Sequence, residues 1–267
     1  MNLMRYWRGD SRGSRRLWAW LAVAVGLGVT SLRAGAQGGG MPGGNLGFNA
    51  AVAQLFADVP AFSAAVETAI TNQAENTRMV LPMRMFKSGD KFRIDVDFVK
   101  LRGAGAALQG LSALQNIGMS RMGSLVLPQE KGMVVFFPEL KFQTRVSLTE
   151  ADLPADGYKV TKKAGGKETV NGQPCVRQQV TLTTKDGQKT EATTWEAPAL
   201  NQFPVRMMFR QDKDKDGGTM WMTFSDVKLA SPGDDVFKVP SDYKSFNSIS
   251  GLMQEAMARA LNPGAAK

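Results

Sequence analysis

Histidine is absent from this chain of 267 residues, and cysteine occurs once, at Cys175. Without imidazole there is no Ser-His-Asp or Cys-His activation of a nucleophile. His-ligated zinc and iron are excluded too, and a single thiol cannot build a thiolate metal site. One cysteine also leaves no disulfide within the chain, so stability must come from a large core. No catalytic residue, cofactor-binding residue or metal ligand is therefore assigned, and no cofactor or metal is expected. Cys175 itself reads as a small strand residue, since no cationic helix terminus or His lies near it in sequence to lower its pKa.

Long apolar runs are scarce as well. The apolar run at residues 17–32 (LWAWLAVAVGLGVTSL) carries no charge and is shorter than the roughly 18 residues of a membrane span. It follows a segment with Arg5, Arg8, Arg12, Arg15 and Arg16 against Asp10, and precedes Ala34-Gly35-Ala36. Charged, apolar and small-x-small zones in that order are a secretory signal, with cleavage expected after Ala36. No cysteine follows the apolar zone, so a lipoprotein anchor is not expected. Ser14-Arg15-Arg16-Leu17-Trp18 also resembles a twin-arginine signal. Ordinary signals carry adjacent arginines too, so both export routes stay open.

Excess positive charge is mostly confined to that signal. The chain has 33 Lys+Arg against 24 Asp+Glu. Residues 1–36 hold six Arg and one Asp, which leaves 27 against 23 in residues 37–267, a net of +4. No basic stripe with interleaved aromatics appears, so no nucleic-acid partner is expected. The expected layout is a cleavable signal over 1–36, a flexible lead over 37–44 (QGGGMPGG begins at 37), one domain over 45–261 and a tail over 262–267. Such a domain is long enough for one sizeable core. A periplasmic or secreted location follows from the signal.

Inside the domain, Phe48, Val52, Leu55 and Phe56 have helical spacing, stopped before Pro60. The period then becomes two. Phe62, Ala64, Val66 and Thr68 alternate with small or polar residues. Met79, Leu81, Met83 and Met85 alternate next, and Phe92, Ile94, Val96 and Phe98 follow the Lys87-Ser88-Gly89-Asp90 turn, which predicts a hairpin. Ala107, Leu108, Leu111 and Leu114 make a short helical stripe. Strands are expected over 124–127, 133–137, 141–146, 158–163, 175–184, 190–195, 204–210 and 219–224. Asn171-Gly172, Asp186-Gly187 and Asp216-Gly217 are hairpin turns between them. A final helix places Ile249, Leu252, Met253, Ala256, Met257, Ala260 and Leu261 on one face. Nine or ten strands in meander order, without βαβ alternation, argue a mainly β (α+β) fold with one antiparallel sheet and helices over one face.

Several motifs fail on closer reading. Asp212-Lys213-Asp214-Lys215-Asp216-Gly217 matches half of a calcium loop, but position twelve is Thr223 where a bidentate Glu is needed. Ser88/Lys91 and Ser241/Lys244 have Ser-Lys spacing, yet lie in a turn and after a strand. Gly103-x-Gly105 lacks the third small residue of a nucleotide fingerprint. Asp95 and Asp97 share a strand face, and with Arg93 they read as solvated.

Four phrases carry a resemblance to a family. Glu168-Thr169-Val170-Asn171-Gly172-Gln173-Pro174-Cys175 is a strand–turn–strand unit. Thr194-Trp195-Glu196, Phe203-Pro204-Val205 and Val236-Phe237-Lys238-Val239-Pro240-Ser241-Asp242-Tyr243 continue it in order. Together they resemble exported domains of unknown function related to outer-membrane lipoprotein-sorting proteins, the LolA/LolB-like fold. The resemblance covers residues 158–245 well and residues 48–146 in plan only. It implies a strongly curved antiparallel β half-barrel, with helices on its concave face and a possible apolar cavity between them.

Methionine is in excess, 15 residues in all, and this soft side chain suits surfaces that adapt to varied apolar ligands. Lining of such a cavity is expected from Met79, Leu81, Met83, Met85, Phe92, Ile94, Val96, Leu111, Met207, Met220, Met222, Leu252 and Met253. The expected function is an exported, non-enzymatic binding protein, with a lipid or a lipoprotein acyl chain as the possible partner. A cell-envelope structural or interaction module with a self-filled core is the alternative, and a carboxylate-based hydrolase is a weaker one.

Overall fold

Period-two alternation becomes strand wherever the sequence carries it. The computed structural model describes residues 51–72, 77–103, 114–148, 158–185, 187, 189–210 and 218–262. The expected signal, the lead, Leu111 and the 212–217 turn lie outside these residues.

The chain runs through β1 (Ala61–Asn72), β2 (Thr77–Ser88), β3 (Lys91–Asp97), β4 (Arg102–Gly103), β5 (Arg121–Leu127), β6 (Gly132–Phe137) and β7 (Phe142–Ser147). It continues through β8 (Lys159–Val170), β9 (Gln173–Thr183), β10 (Lys189–Ala197), β11 (Phe203–Arg210), β12 (Thr219–Lys228), β13 (Lys244–Phe246) and helix α1 (Ile249–Leu261). All the strands form one open sheet in the order β13-β7-β6-β5-β3-β2-β1-β12-β11-β10-β9-β8, with β4 on β2. Two meanders thus meet where β1 pairs with β12.

The sheet is strongly curved, and one side chain demonstrates it. Phe56 follows a short helical segment over 51–55 and is fully buried. Its ring centroid lies 6.4 Å from that of Phe92 on β3 and 5.5 Å from that of Phe203 on β11. Those two rings are therefore no more than about 12 Å apart, whereas four strand spacings in a flat sheet span about 19 Å. The inner face must curl around Phe56.

The sheet differs from the expected one in three places. β13 pairs with β7 in parallel, making the sheet mixed at that edge. β8 runs to Val170 rather than stopping at Lys163. Residues 164–170 carry two glycines and no apolar alternation, so only pairing with β9 makes them strand. The turn that enforces this pairing is Asn171-Gly172, with φ of +49° and +79°, the two positive values a tight hairpin needs. Finally, Phe98 sits in a 3-10 turn over Phe98–Lys100 rather than in β3.

Candidate functional site

The inner face is built by register. Across one row, Leu81 faces Thr68, Thr68 faces Met222, Met222 faces Met207, and Met207 faces Thr194. The neighbouring row sets Val96, Met83, Val66 and Phe224 side by side. Directly paired residues point to the same side of a sheet. The alternating apolar residues of β2, β3, β11 and β12 therefore share one side, the concave one.

These side chains form one continuous apolar cluster. Leu81, Met83, Met85, Phe92, Val96, Met207, Met220, Met222 and Leu252 are buried in it. Met79, Ile94 and Met253 are half-buried and pack against it. Phe56 fills its centre, with ring centroids 4.8 Å from Phe62 and 5.5 Å from both Phe203 and Phe224. Ala51, one turn upstream, packs with Val180 and Leu182 of β9. The segment 51–56 is thus a plug laid across the concavity.

Helix α1 covers the other end. Ser248 caps it by accepting a hydrogen bond from the Gly251 N–H. Of the apolar stripe expected along it, only Leu252 and Ala256 are buried. Met257 and Leu261 are 45% and 81% exposed. The Arg259 guanidinium lies over the Phe142 ring, 4.3 Å from its centroid. Glu255 accepts a hydrogen bond from Lys244 of β13 at 2.9 Å, and that bond holds its carboxyl below the usual range.

Six buried polar side chains interrupt the concave face, Thr68, Lys87, Ser124, Thr144, Thr194 and Glu196, and pattern reasoning missed the environment of the first two. Thr68 is 2% exposed, and its hydroxyl has no hydrogen-bond partner among the described residues. Alternation had placed it on an apolar face without asking what its oxygen would bond. Lys87 is 5% exposed; its Nζ donates to the Val59 carbonyl at 2.6 Å and lies 5.7 Å from the Phe92 ring centroid. Burial pulls its pKa down, while Asp90 opposes the shift. Glu196 is buried beside Thr194, whose hydroxyl donates to Oε1 at 3.2 Å, and pairs with Lys162 at 2.8 Å.

The other motifs are structural. Asp95 accepts from Arg93 Nε at 2.7 Å, and Asp97 caps the 3-10 turn through the Val99 N–H. Ser88 Oγ lies 3.1 Å from Ser231 Oγ, and Lys244 is held by Glu255. Cys175 is buried, and burial pushes its thiol pKa up, away from nucleophilic use. Among the described residues no group of three or more His, Cys, Asp and Glu side chains could hold a metal ion. No described helix is long and apolar enough to cross a membrane.

A hollow of about 190 Å³ lies on the opposite, convex face. Its floor includes Gln179, Thr181, Glu191, Thr193 and Arg210, all on the side away from Phe56 by register. It is polar, and it is not the expected Met-lined space.

No protein-family model and no curated protein matches this chain. Among solved structures it is similar to a LolA superfamily protein from Nitrosomonas europaea, at 12% identity and a TM-score of 0.37, over 72% of this chain and 97% of that one. It is similar to a DUF1329 family protein from Desulfovibrio piger, at 13% identity and a TM-score of 0.36, over 74% and 98%. A putative outer membrane lipoprotein-sorting protein domain from Vibrio parahaemolyticus gives 13% identity and a TM-score of 0.32, over 71% and 95%.

Proposed function

We propose that this is an exported, non-enzymatic binding protein that holds an acyl chain against its concave face. The observation that carries the reading is the inner row Leu81–Thr68–Met222–Met207. It is apolar and methionine-rich, and it contains one buried hydroxyl with no partner among the described residues. A valine would fill the Thr68 position without stranding an oxygen, and a buried unsatisfied hydroxyl costs about 1–3 kcal/mol. A ligand carbonyl lying along the row would accept from it.

In the closed form the plug 51–56 occupies the centre of the site. Ligand binding would replace the Phe56 ring by acyl methylenes, an exchange of one apolar surface for another, and flexible methionines would repack around the chain. Export fits a periplasmic or secreted carrier, and the 1–36 signal supports it.

A second reading has its own support. The described candidate side chains are buried or packed into the core already, as in an envelope interaction module whose core is self-filled. Mass spectrometry of lipids extracted from protein purified without detergent separates the two. The carrier reading expects acyl-containing lipid at near-stoichiometric amount. Lipid-free protein that also binds no added fatty acid would leave the self-filled module.

A further inference from the structure

We propose that the free edge of β8 docks an extended acidic segment of a partner protein, which joins the sheet as a further strand. β8 ends the strand order, so among the described residues its backbone groups on one side have no strand beside them. It is twelve residues long, about 40 Å of edge. The edge at the other end, β13, has three residues.

The length of β8 is not explained by the core. Of its side chains only that of Val170 is buried, and both faces from Lys159 to Ala164 are exposed. The strand is held by its ladder to β9 and by three side-chain ties: Lys162 to Glu196, Arg177 to Glu168, and the Trp195 indole N–H to Glu168. A strand that buries almost nothing still costs backbone entropy to order, and proteins usually keep such edges short. A long, regular edge is what strand addition requires, because main-chain hydrogen bonds supply the affinity.

Charge selects the occupant. Lys159, Lys163 and Lys167 have no carboxylate partner among the described residues. A second copy of β8 would set lysines against lysines, and like charges across a ladder are destabilising. A segment alternating Asp or Glu with β-branched residues would set its carboxylates beside Lys159 and Lys163, which share one face, while Lys167, beyond the bulge, lies on the other. The bulge between Ala164 and Gly166 interrupts the register, so Lys159–Ala164 is the longer uninterrupted landing site.

The test titrates the full chain with a fluorescently labelled ten-residue peptide alternating Glu with Val and Thr. Saturable binding is expected. It should weaken at least tenfold in the triple variant Lys159→Glu, Lys163→Glu, Lys167→Glu, and that variant should bind the Lys-for-Glu peptide instead. The corresponding triple Gln variant, a milder change at the same exposed sites, should lose affinity for both. Two peptides N-methylated on alternate amides, one for each register, distinguish strand addition from simple attraction, and at least one should fail to bind. No saturable binding of the acidic peptide by the native chain overturns the proposal. So does equal binding of both methylated peptides, and so does binding of phosphatidylglycerol vesicles without binding of the peptide.

Discussion

The strands β2, β1 and β12 and the strand β8 obey the same backbone rules with opposite consequences. In the first group the inward apolar positions join one cluster around the aromatic plug, and residues as large as Leu81, Met85 and Met222 are buried. In β8 both faces stay wet, and the strand exists because Asn171-Gly172 and β9 impose it. Burial decides the first case and hydrogen-bond pairing the second. The two proposals divide accordingly: an apolar face for a lipid chain, and a polar edge for another polypeptide.

The largest test of that contrast is Phe56→Ala. Removing a fully buried aromatic should cost about 3–5 kcal/mol, read as a fall in the urea midpoint of the whole domain. A loss under about 1 kcal/mol would mean that the plug does not hold the concave face together. Next is Gly172→Ala. A Cβ at φ of +79° should cost about 1–2 kcal/mol. By hydrogen exchange the loss should appear in β8 and β9 amides before it appears in β1 or β2. Equal loss everywhere would erase the distinction between the two regions.

Thr68→Val works in the other direction. It removes the orphaned hydroxyl with little change of volume, so the ligand-free protein should gain about 1 kcal/mol, measured by denaturant titration. A destabilised variant would mean that the hydroxyl has a partner in solution. The smallest effect is electrostatic. Lys244 holds the Glu255 carboxyl below its usual pKa, so the bond contributes stability above the unfolded carboxylate pKa. That contribution is lost as pH falls through the lowered folded value. Glu255→Gln should flatten this part of the acid limb of the stability profile, and the change should be confined to α1 and β13 amides.

Much of this was legible from alternation. The inward sets at Met79–Met85, Phe92–Val96, Val205–Phe209 and Met220–Phe224 needed only the period of two, because a one-residue slip exposes them all. Asn171-Gly172 announced its hairpin through conformational preference. Less accessible were features that depend on long-range partners. β13 has three residues and no alternation to detect; it becomes strand by lying on β7. The residues 164–170 have glycines and charges where a strand signal would be. Helix α1 shows the opposite failure. Its broad apolar stripe is real in sequence, yet the sheet offers room for Leu252 and Ala256 alone. The buried polar groups Thr68 and Lys87 were hidden because pattern rules count a threonine in an apolar column, and a lysine in a turn, as unremarkable.

The most direct test of the central claim is a titration of the full chain with a fluorescent fatty acid, run in parallel on Met222→Leu and Thr68→Val. The account predicts saturable one-site binding by the native chain. Met222→Leu should retain it, with folding stability unchanged within about 1.5 kcal/mol, and Thr68→Val should bind more weakly despite its greater stability. Failure of the native chain to bind, with its fold intact by circular dichroism, would contradict the claim that the concave face is a ligand site.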